Sequence, residues 1–106
     1  MEYKFKQVSD VEAIEVIKNN PNVIVDFSAE WCTPCKLLTP TLNDFAESNE
    51  DVQVLKINVD EYPDYCADNK VRNIPAILFF KDGEYKDRLV GNVSASVLKD
   101  MKEKTF

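Results

Sequence analysis

The sequence predicts a single α/β domain whose central β-sheet is mixed, with about five strands flanked by about four α-helices. Apolar runs of strand length alternate with segments of helical periodicity along the whole chain of 106 residues. The run NVIVDFS at 22–28 is almost continuously apolar, which is typical of a parallel strand covered by helices on both faces. Asp82-Gly83 lies between two strand-like segments and indicates an antiparallel hairpin. A chain of this length holds one core, so residues 1–106 are predicted to form one domain.

The first helix is predicted between a strand at 2–8 and the strand at 22–28. Ser9 stands three residues before Glu12, which is the spacing of a capping box at a helix N-terminus. Asn19-Asn20-Pro21 ends this helix, since proline cannot continue it. Between these signals, three apolar residues recur at helical spacing: Val11, Ile14 and Ile17.

The second helix is predicted from Cys32 to Ser48. Pro40 lies inside it and is expected to kink it, because proline lacks an N–H donor and crowds the preceding turn. Three apolar residues share one face of this helix: Leu38, Leu42 and Phe45.

The rest of the chain completes the predicted order β-α-β-α-β-α-β-β-α. Strands are predicted at 52–59, 75–80 and 84–91, with a short helix from Tyr62 to Lys70 after the first of them. Ser94 or Ser96 can cap the last helix. Its apolar residues fall on one side: Val97, Leu98 and Met101.

Composition and charge exclude several functional classes. The net charge is −6, whereas nucleic-acid binding and docking on anionic membranes both need clustered Lys and Arg. We therefore expect neither a nucleic-acid partner nor a membrane partner. No apolar run approaches the roughly 20 residues of a membrane span, and no basic start followed by an apolar run marks a signal peptide. These features predict a cytoplasmic protein.

Two of the three cysteines, Cys32 and Cys35, lie within one helical turn in the stretch WCTPCK. A structural zinc or iron–sulfur site usually needs four Cys or His ligands, and this chain has three cysteines and no histidine, so no metal is expected. A structural disulfide stabilises mainly by closing a long loop in the unfolded chain, and this pair closes almost none. A redox-active pair of thiols is the interpretation that explains the spacing.

The predicted start of a helix at Cys32 explains how this pair can react. A helix N-terminus carries unpaired N–H groups and a partial positive charge, which favour the thiolate over the thiol. Cys32 is therefore the predicted nucleophile. Cys35, one turn further along, can attack a mixed disulfide formed at Cys32 and release the reduced substrate.

The segment DFSAEWCTPCK resembles the active-site segment of the thioredoxin family, and CxxC after a strand is typical of the thioredoxin-like redox motif. Further matches are Pro40 in the following helix, Ile74-Pro75 before a strand, and the stretches FFKDG and VG. The resemblance spans nearly the whole chain in the expected order of elements. It implies the thioredoxin fold.

The resemblance also implies a role for each residue around the dithiol. Cys32 would be the exposed attacking thiol, Cys35 the buried resolving thiol, and the two would form a redox-active disulfide. Pro75 would be a cis-proline that leaves the backbone of Ile74 free to pair with an extended substrate segment. Ile74 would line a shallow substrate surface together with four further residues: Trp31, Thr33, Pro34 and Gly91. Thr33 stands where the family usually has glycine, which leaves the reduction potential open.

Asp26 interrupts the apolar strand, and a carboxylate is costly to bury without a partner or a task. Strand alternation places it on the opposite face from its two neighbours, toward one helical layer. Burial raises the pKa of a carboxyl group, which would suit an acid/base that exchanges protons with Cys35. The resemblance implies this role for Asp26, and it implies that Lys56 lies near Asp26. A solvated strand lysine is the alternative for Lys56.

Pattern and resemblance together predict a general protein-disulfide reductase that acts on disulfide-containing proteins. Thioredoxin reductase, with NADPH as the electron source, would restore the dithiol. The chain's two glycines cannot form a dinucleotide-binding loop, so no bound cofactor is expected, and a monomer is expected. The alternatives are an oxidant or isomerase in an oxidising compartment and a protein that uses the fold only for binding.

Cys66 lies outside the WCTPCK stretch, in the predicted third helix. A free cysteine behaves as a small apolar residue, so Cys66 is predicted to be buried in the core. A regulatory or dimer-forming thiol is the alternative.

Overall fold

The computed structural model describes residues 4–106, in which five strands and four helices follow one another in the predicted order. The strands are β1 (Lys6–Gln7), β2 (Asn22–Ser28), β3 (Gln53–Asn58), β4 (Ala76–Lys81) and β5 (Glu84–Val90). The helices are α1 (Asp10–Asn19), α2 (Thr33–Ser48), α3 (Pro63–Asp68) and α4 (Ala95–Thr105). Across residues 4–106, no helix has both the length and the apolar character needed to span a membrane.

The strands form one mixed sheet in the order β1-β3-β2-β4-β5. Strand β2 lies at the centre, parallel to β3 and antiparallel to β4. The predicted hairpin joins β4 and β5, and its turn residues Asp82 and Gly83 both have positive φ, at 52° and 84°. The prediction of a mixed sheet is confirmed. Because β2 and β3 are parallel, the loops that follow them meet at the same edge of the sheet.

Two clusters of buried side chains cover the two faces of the sheet. One cluster joins Val23, Val25 and Phe27 of β2 to α1 and α3. The other joins Ile24 of β2 to α2 and α4. The prediction that β2 is covered on both faces is confirmed, and Asp26 shares the parity of Ile24, so it belongs to the α2 face.

Helix α1 begins as predicted but buries a different face. The Ser9 side chain accepts a hydrogen bond from the Glu12 backbone N–H at 3.1 Å. Val11 and Ile14, however, are 67% and 51% exposed, and the buried residues are Ala13 and Ile17. The helix predicted from the spacing of Val11, Ile14 and Ile17 is confirmed, but only Ile17 of the three faces the sheet.

Helix α2 buries the predicted face and passes through Pro40 without a break. Its buried residues include the three predicted ones, Leu38, Leu42 and Phe45. Pro40 is exposed on the outer side of the helix. The kink expected there stays a prediction.

The remaining differences lie at the ends of elements. Strand β1 covers two residues of the predicted 2–8, of which residues 2 and 3 lie outside the described part. Helix α3 is shorter than the predicted stretch from Tyr62 to Lys70. For α4, the cap is Ser94, whose hydroxyl accepts from the Val97 N–H at 3.3 Å. Leu98 is buried and Val97 is 39% exposed, so the predicted apolar side is only partly covered.

Candidate active site

Cys32 and Cys35 lie where the chain turns from β2 into α2. Cys32 is the N-cap residue of α2, and its Sγ accepts a hydrogen bond from the Cys35 backbone N–H at 3.2 Å. The two cysteines form a disulfide, with their Cα atoms 5.3 Å apart. The predicted helix start and pairing are thus both present at the carboxyl end of the central strand.

The structure corrects one expectation about this pair. Cys32 is 4% exposed and Cys35 is 2% exposed, so Cys32 is not the exposed member in the disulfide form. Cys32 packs with Ala29 and against Val59 and Ile74, which cover it from neighbouring loops.

The segment at Ile74-Pro75 lies directly beside the disulfide. The peptide bond between these residues is cis. The Ile74 carbonyl oxygen is 3.9 Å from Cys32 Sγ, and the Gly91 N–H donates to the Pro75 carbonyl at 2.8 Å. Within residues 4–106, the Ile74 backbone N–H makes no hydrogen bond. The structure thus brings together Cys32, Ile74, Pro75 and Gly91, although 42 residues separate the first two in sequence.

Trp31 forms an exposed aromatic surface next to Cys32. Its side chain is 67% exposed, and its Nε1 donates a hydrogen bond to Asp60 Oδ2 at 2.8 Å. The backbone N–H of Asp60 in turn donates to Asn58 Oδ1 at 2.9 Å, so a turn after β3 holds the carboxylate in place. Sequence reasoning missed Asp60. The available signal was its position just after β3, whose carboxyl end lies beside that of β2.

Thr33 and Pro34 occupy the first turn of α2, and both are exposed. The backbone N–H groups of Thr33 and Cys35 belong to the end of the helix that has no preceding turn. Proline is well tolerated there, because its missing donor would have no partner inside the helix. The sequence TPC is therefore compatible with a helix that starts directly at the first cysteine.

Asp26 is the buried carboxyl group of β2, two residues before the end of the strand. It is 2% exposed, and no hydrogen-bond partner is found for its Oδ1 within residues 4–106. Burial raises the pKa of Asp26 from 3.8 to about 7, and the positive charge of Lys56 partly opposes this rise. Lys56 is the direct neighbour of Asp26 across the β2–β3 ladder. The described residues show no ion pair between them, and the Lys56 Nζ lies 5.8 Å from the centre of the Phe5 ring.

A cleft of about 350 Å³ is lined by Lys56 and by Cys35 of the dithiol. It opens between α2 and the carboxyl ends of β2 and β3. Its lining includes Ser28, Cys35, Lys56 and Asn58. The cleft gives small molecules a route to the Cys35 side of the disulfide, on the sheet face that carries Asp26.

Cys66 lies away from the dithiol, on the other face of the sheet. It is 8% exposed and packs in the cluster that contains Phe27 and Tyr65, as the sequence predicts for a small apolar residue. Burial, with a smaller contribution from the charge of Asp60, raises the pKa of the Cys66 thiol. In the described part of the chain, no group of three or more Cys, Asp or Glu side chains is arranged to hold a metal ion.

Comparison with known proteins agrees with this arrangement. The model of the Thioredoxin family matches residues 5–104. A thioredoxin of Rickettsia bellii is 46% identical over 78 residues, which are 73% of this chain and 74% of that protein. A thioredoxin of Rickettsia felis is 42% identical over 87% of this chain and 89% of its own length. A mutant thioredoxin from Halobacterium salinarum is 34% identical and superposes with a TM-score of 0.89 over 99% of this chain and 94% of its own.

The five-stranded mixed sheet with four helices matches the thioredoxin fold of that solved structure. The disulfide at the start of α2 supplies the two sulfur atoms that exchange electrons with a substrate disulfide, so the electrons are carried on the protein's own dithiol. On the family match, the relatives and this disulfide, the chain belongs to the thioredoxin family and is a protein-disulfide oxidoreductase.

Proposed function

We propose that this thioredoxin-family chain works as a general protein-disulfide reductase, with Cys32 as its nucleophile. The observation that carries the proposal is the position of Cys32 as the N-cap of α2, where the Cys35 N–H donates to its Sγ. The same N–H would stabilise a thiolate on Cys32 in the reduced protein. The Cys32 thiolate attacks one sulfur of a substrate disulfide. A mixed disulfide forms, and the other substrate sulfur leaves as a thiolate.

Cys35 completes the exchange. Its thiol loses a proton and attacks Cys32 Sγ, which forms the Cys32–Cys35 disulfide and releases the second substrate thiolate. Two electrons have then passed from the protein to the substrate. Asp26 is the proposed acceptor of the Cys35 proton, because its pKa of about 7 lets it take up and release a proton near neutral pH. Lys56, across the ladder, is proposed to keep that pKa from rising further.

The proposed substrate surface surrounds Cys32. An extended substrate segment would pair with the free backbone N–H of Ile74 beside the cis Pro75, in the manner of an added strand. Further contacts would come from residues that lie around the disulfide: Trp31, Thr33, Pro34 and Gly91. The apolar and aromatic character of this surface suits many unrelated protein substrates.

Recycling of the dithiol is proposed to use thioredoxin reductase and NADPH. The chain itself supplies no dinucleotide-binding loop, so electrons from NADPH must reach the disulfide through a partner protein. We propose the cytoplasm as the compartment, since NADPH and a reducing poise are available there, and we propose a monomer as the working form.

The direct test mixes the protein with thioredoxin reductase, NADPH and insulin, and follows the loss of NADPH. We expect turnover by the unchanged protein and none by Cys32→Ser. Cys66→Ala is the matched control, since it removes a cysteine on the other face of the sheet and should retain turnover. Insulin reduction driven by dithiothreitol needs no reductase, so it is the control for a reductase from another organism that fails to reduce this protein. Turnover that survives in Cys32→Ser would refute the proposed nucleophile.

The reduction potential distinguishes a reductase from an oxidant or isomerase. A value near about −270 mV fits the proposed reductase, and a value between about −180 and −120 mV fits the alternative. Equilibration with glutathione buffers of known ratio measures it. The same measurement on Thr33→Gly shows how far the threonine shifts the potential.

A further inference from the structure

Strand β5 carries a bulge that changes which of its side chains share a face. Leu78 of β4 pairs with Arg88, and Phe80 pairs with Tyr85, so Lys86 is an extra residue in β5. Residues three apart in a regular strand point to opposite faces. Because of the bulge, Tyr85 and Arg88 instead both lie on the face that α1 and α3 cover.

The Arg88 side chain uses this placement to join β5 to the end of α3. Its guanidinium carbon lies 5.0 Å from the centre of the Tyr85 ring, and its Nε donates to Tyr85 Oη at 2.9 Å. Its Nη2 donates to the Asn69 carbonyl at 2.9 Å, and its Nη1 donates to the Lys70 carbonyl at 3.2 Å. All three nitrogen atoms of the guanidinium group therefore have a partner, in the forked geometry that lysine cannot reproduce.

The Asn69 and Lys70 carbonyl groups lie at the C-terminal end of α3, where the backbone adopts an uncommon conformation. Lys70 adopts φ +58°, where glycine is usual. Its N–H donates to the Ala67 carbonyl at 3.0 Å, and the Val71 N–H donates to the Cys66 carbonyl at 3.0 Å. The carbonyl groups that follow have no partner inside the helix, and a cation at this end also complements the helix dipole. Arg88 supplies both the donors and the charge.

From this point the chain runs directly to the active site. Strand β5 and the residue that follows it hold the connecting segment at two places, through Arg88 at the Asn69 and Lys70 carbonyls and through the Gly91 N–H at the Pro75 carbonyl. Between these places, Arg72 and Asn73 are exposed and make no hydrogen bond within residues 4–106. The placement of the next residues therefore depends strongly on these two attachments.

We propose that Arg88, held by Tyr85, is a positioning residue that fixes the segment 69–75 and thereby sets Ile74 at its distance from Cys32. This proposal rests on the proposed substrate surface at Ile74 and Pro75. Arg88 touches neither the substrate nor the dithiol in this scheme. Its effect is confined to reactions in which a substrate backbone pairs with Ile74.

The test compares two substrates in Arg88→Met, which removes the donors and the charge and keeps an unbranched apolar stem. Stopped-flow emission of Trp31, the sole tryptophan, follows the reaction of the reduced protein with a disulfide-bonded peptide and with hydroxyethyl disulfide. We expect the second-order rate constant for the peptide to fall about three- to tenfold, and that for the small disulfide to stay within about 1.5-fold. Lys86→Met, with the same loss of charge on the same strand, should change neither rate.

Two further measurements keep the result interpretable. Amide hydrogen exchange at Lys70 and Val71, whose N–H groups donate to the Ala67 and Cys66 carbonyls, should accelerate by about tenfold in Arg88→Met, which tests the attachment without any substrate. Tyr85→Phe removes only the hydroxyl that orients Arg88 and should show the same selective slowing to a smaller degree. It serves in place of Arg88→Met if that variant fails to fold.

Three results would overturn the proposal. Equal slowing with both substrates would mean a general disturbance of the dithiol. Unchanged peptide rates despite faster exchange would mean that the attachment does not serve substrate binding. If Ile74→Pro, which removes the backbone N–H at this position, also leaves the peptide rate unchanged, the proposed substrate surface itself fails, and the role of Arg88 fails with it.

Discussion

The two faces of strand β2 differ in what they bury. Val23, Val25 and Phe27 meet an entirely apolar cluster that also contains the Cys66 thiol. The opposite face begins with Ile24 in an apolar cluster and then presents Asp26, which is buried near the carboxyl end of the strand. Both faces are fully buried, so burial alone does not distinguish them. The two faces differ in polar character near the carboxyl end of the strand, where one face carries Phe27 and the other carries Asp26.

Within this one strand, the face that carries Phe27 contributes to the apolar core, and the face that carries Asp26 also holds a group proposed to act in the reaction. On the face that carries Phe27, a cysteine is kept as a thiol, because burial raises its pKa. On the face that carries Asp26, burial raises the pKa of a carboxyl group to about 7, and its ladder neighbour Lys56 lines the cleft that reaches Cys35. Similar burial thus keeps the Cys66 thiol protonated near neutral pH, whereas it brings the pKa of the Asp26 carboxyl group close to neutrality. The four variants below test this contrast.

Asp26→Asn should give the largest change in stability. The folded pKa of Asp26 lies above its ordinary value, so the folded protein keeps this proton between pH 3.8 and about 7 while the unfolded chain loses it. Stability therefore falls across this window and stays lower above it, by about 4 kcal/mol at about 1.4 kcal/mol per pH unit. Asn removes this cost. We expect urea unfolding to show a large gain at pH 8 and little at pH 4.

The same variant should slow the thiol–disulfide exchange near neutral pH, since it removes the proposed acceptor for the Cys35 proton. Its rate should also lose the dependence on pH that a group titrating at about 7 imposes. A gain in stability of equal size at both pH values would show that Asp26 is not buried as an ionisable acid.

Cys66→Ser should destabilise the protein without affecting its reaction. A hydroxyl group in the cluster with Phe27 and Tyr65 has no evident partner there, at a cost of about 1–3 kcal/mol in the free energy of unfolding. Cys66→Ala, which adds no polar atom, is the control and should cost less. Denaturant unfolding measures both. A loss of disulfide-reductase activity in either variant would favour the regulatory interpretation of Cys66.

Thr39→Val tests a smaller polar contribution on the other face. The buried Thr39 hydroxyl donates to the Cys35 carbonyl at 3.1 Å, and valine has nearly the same shape without this donor. We expect a loss of about 1 kcal/mol in the free energy of unfolding. Thr41→Val, on the same helix, is the control. No difference between the two variants would mean that this bond does not stabilise the start of α2.

Asp60→Ala should have the smallest effect. Without the acceptor at 2.8 Å, the Trp31 ring becomes freer, and the anisotropy of the single tryptophan should fall. Reaction with a protein disulfide should slow about twofold, because an exposed hydrogen bond to a charged group contributes modestly. Asp60→Asn keeps an acceptor oxygen and should retain most of both properties. Equal anisotropy in all three proteins would contradict the proposed orientation of Trp31.

Much of the fold and of the site could be predicted from local sequence. The continuous apolar run at β2, the hairpin signal at Asp82-Gly83 and the start of a helix at Cys32 each depend on residues close together in the chain. For the same reason, the sequence alone shows that Asp26 is unusual, because this acidic residue interrupts the apolar run of its own strand. Resemblance to a family added the cis bond before Pro75, which no local pattern shows.

Tertiary structure alone decided how distant residues meet. The sheet chose which side of α1 to bury, and so left Val11 and Ile14 exposed. Trp31 meets Asp60 across 29 residues, and Arg88 meets Asn69 across 19. Such pairs depend on strand order and on a bulge in β5 that reverses its alternation. Periodicity reports the local path of the backbone, whereas these contacts follow from how separate elements pack together.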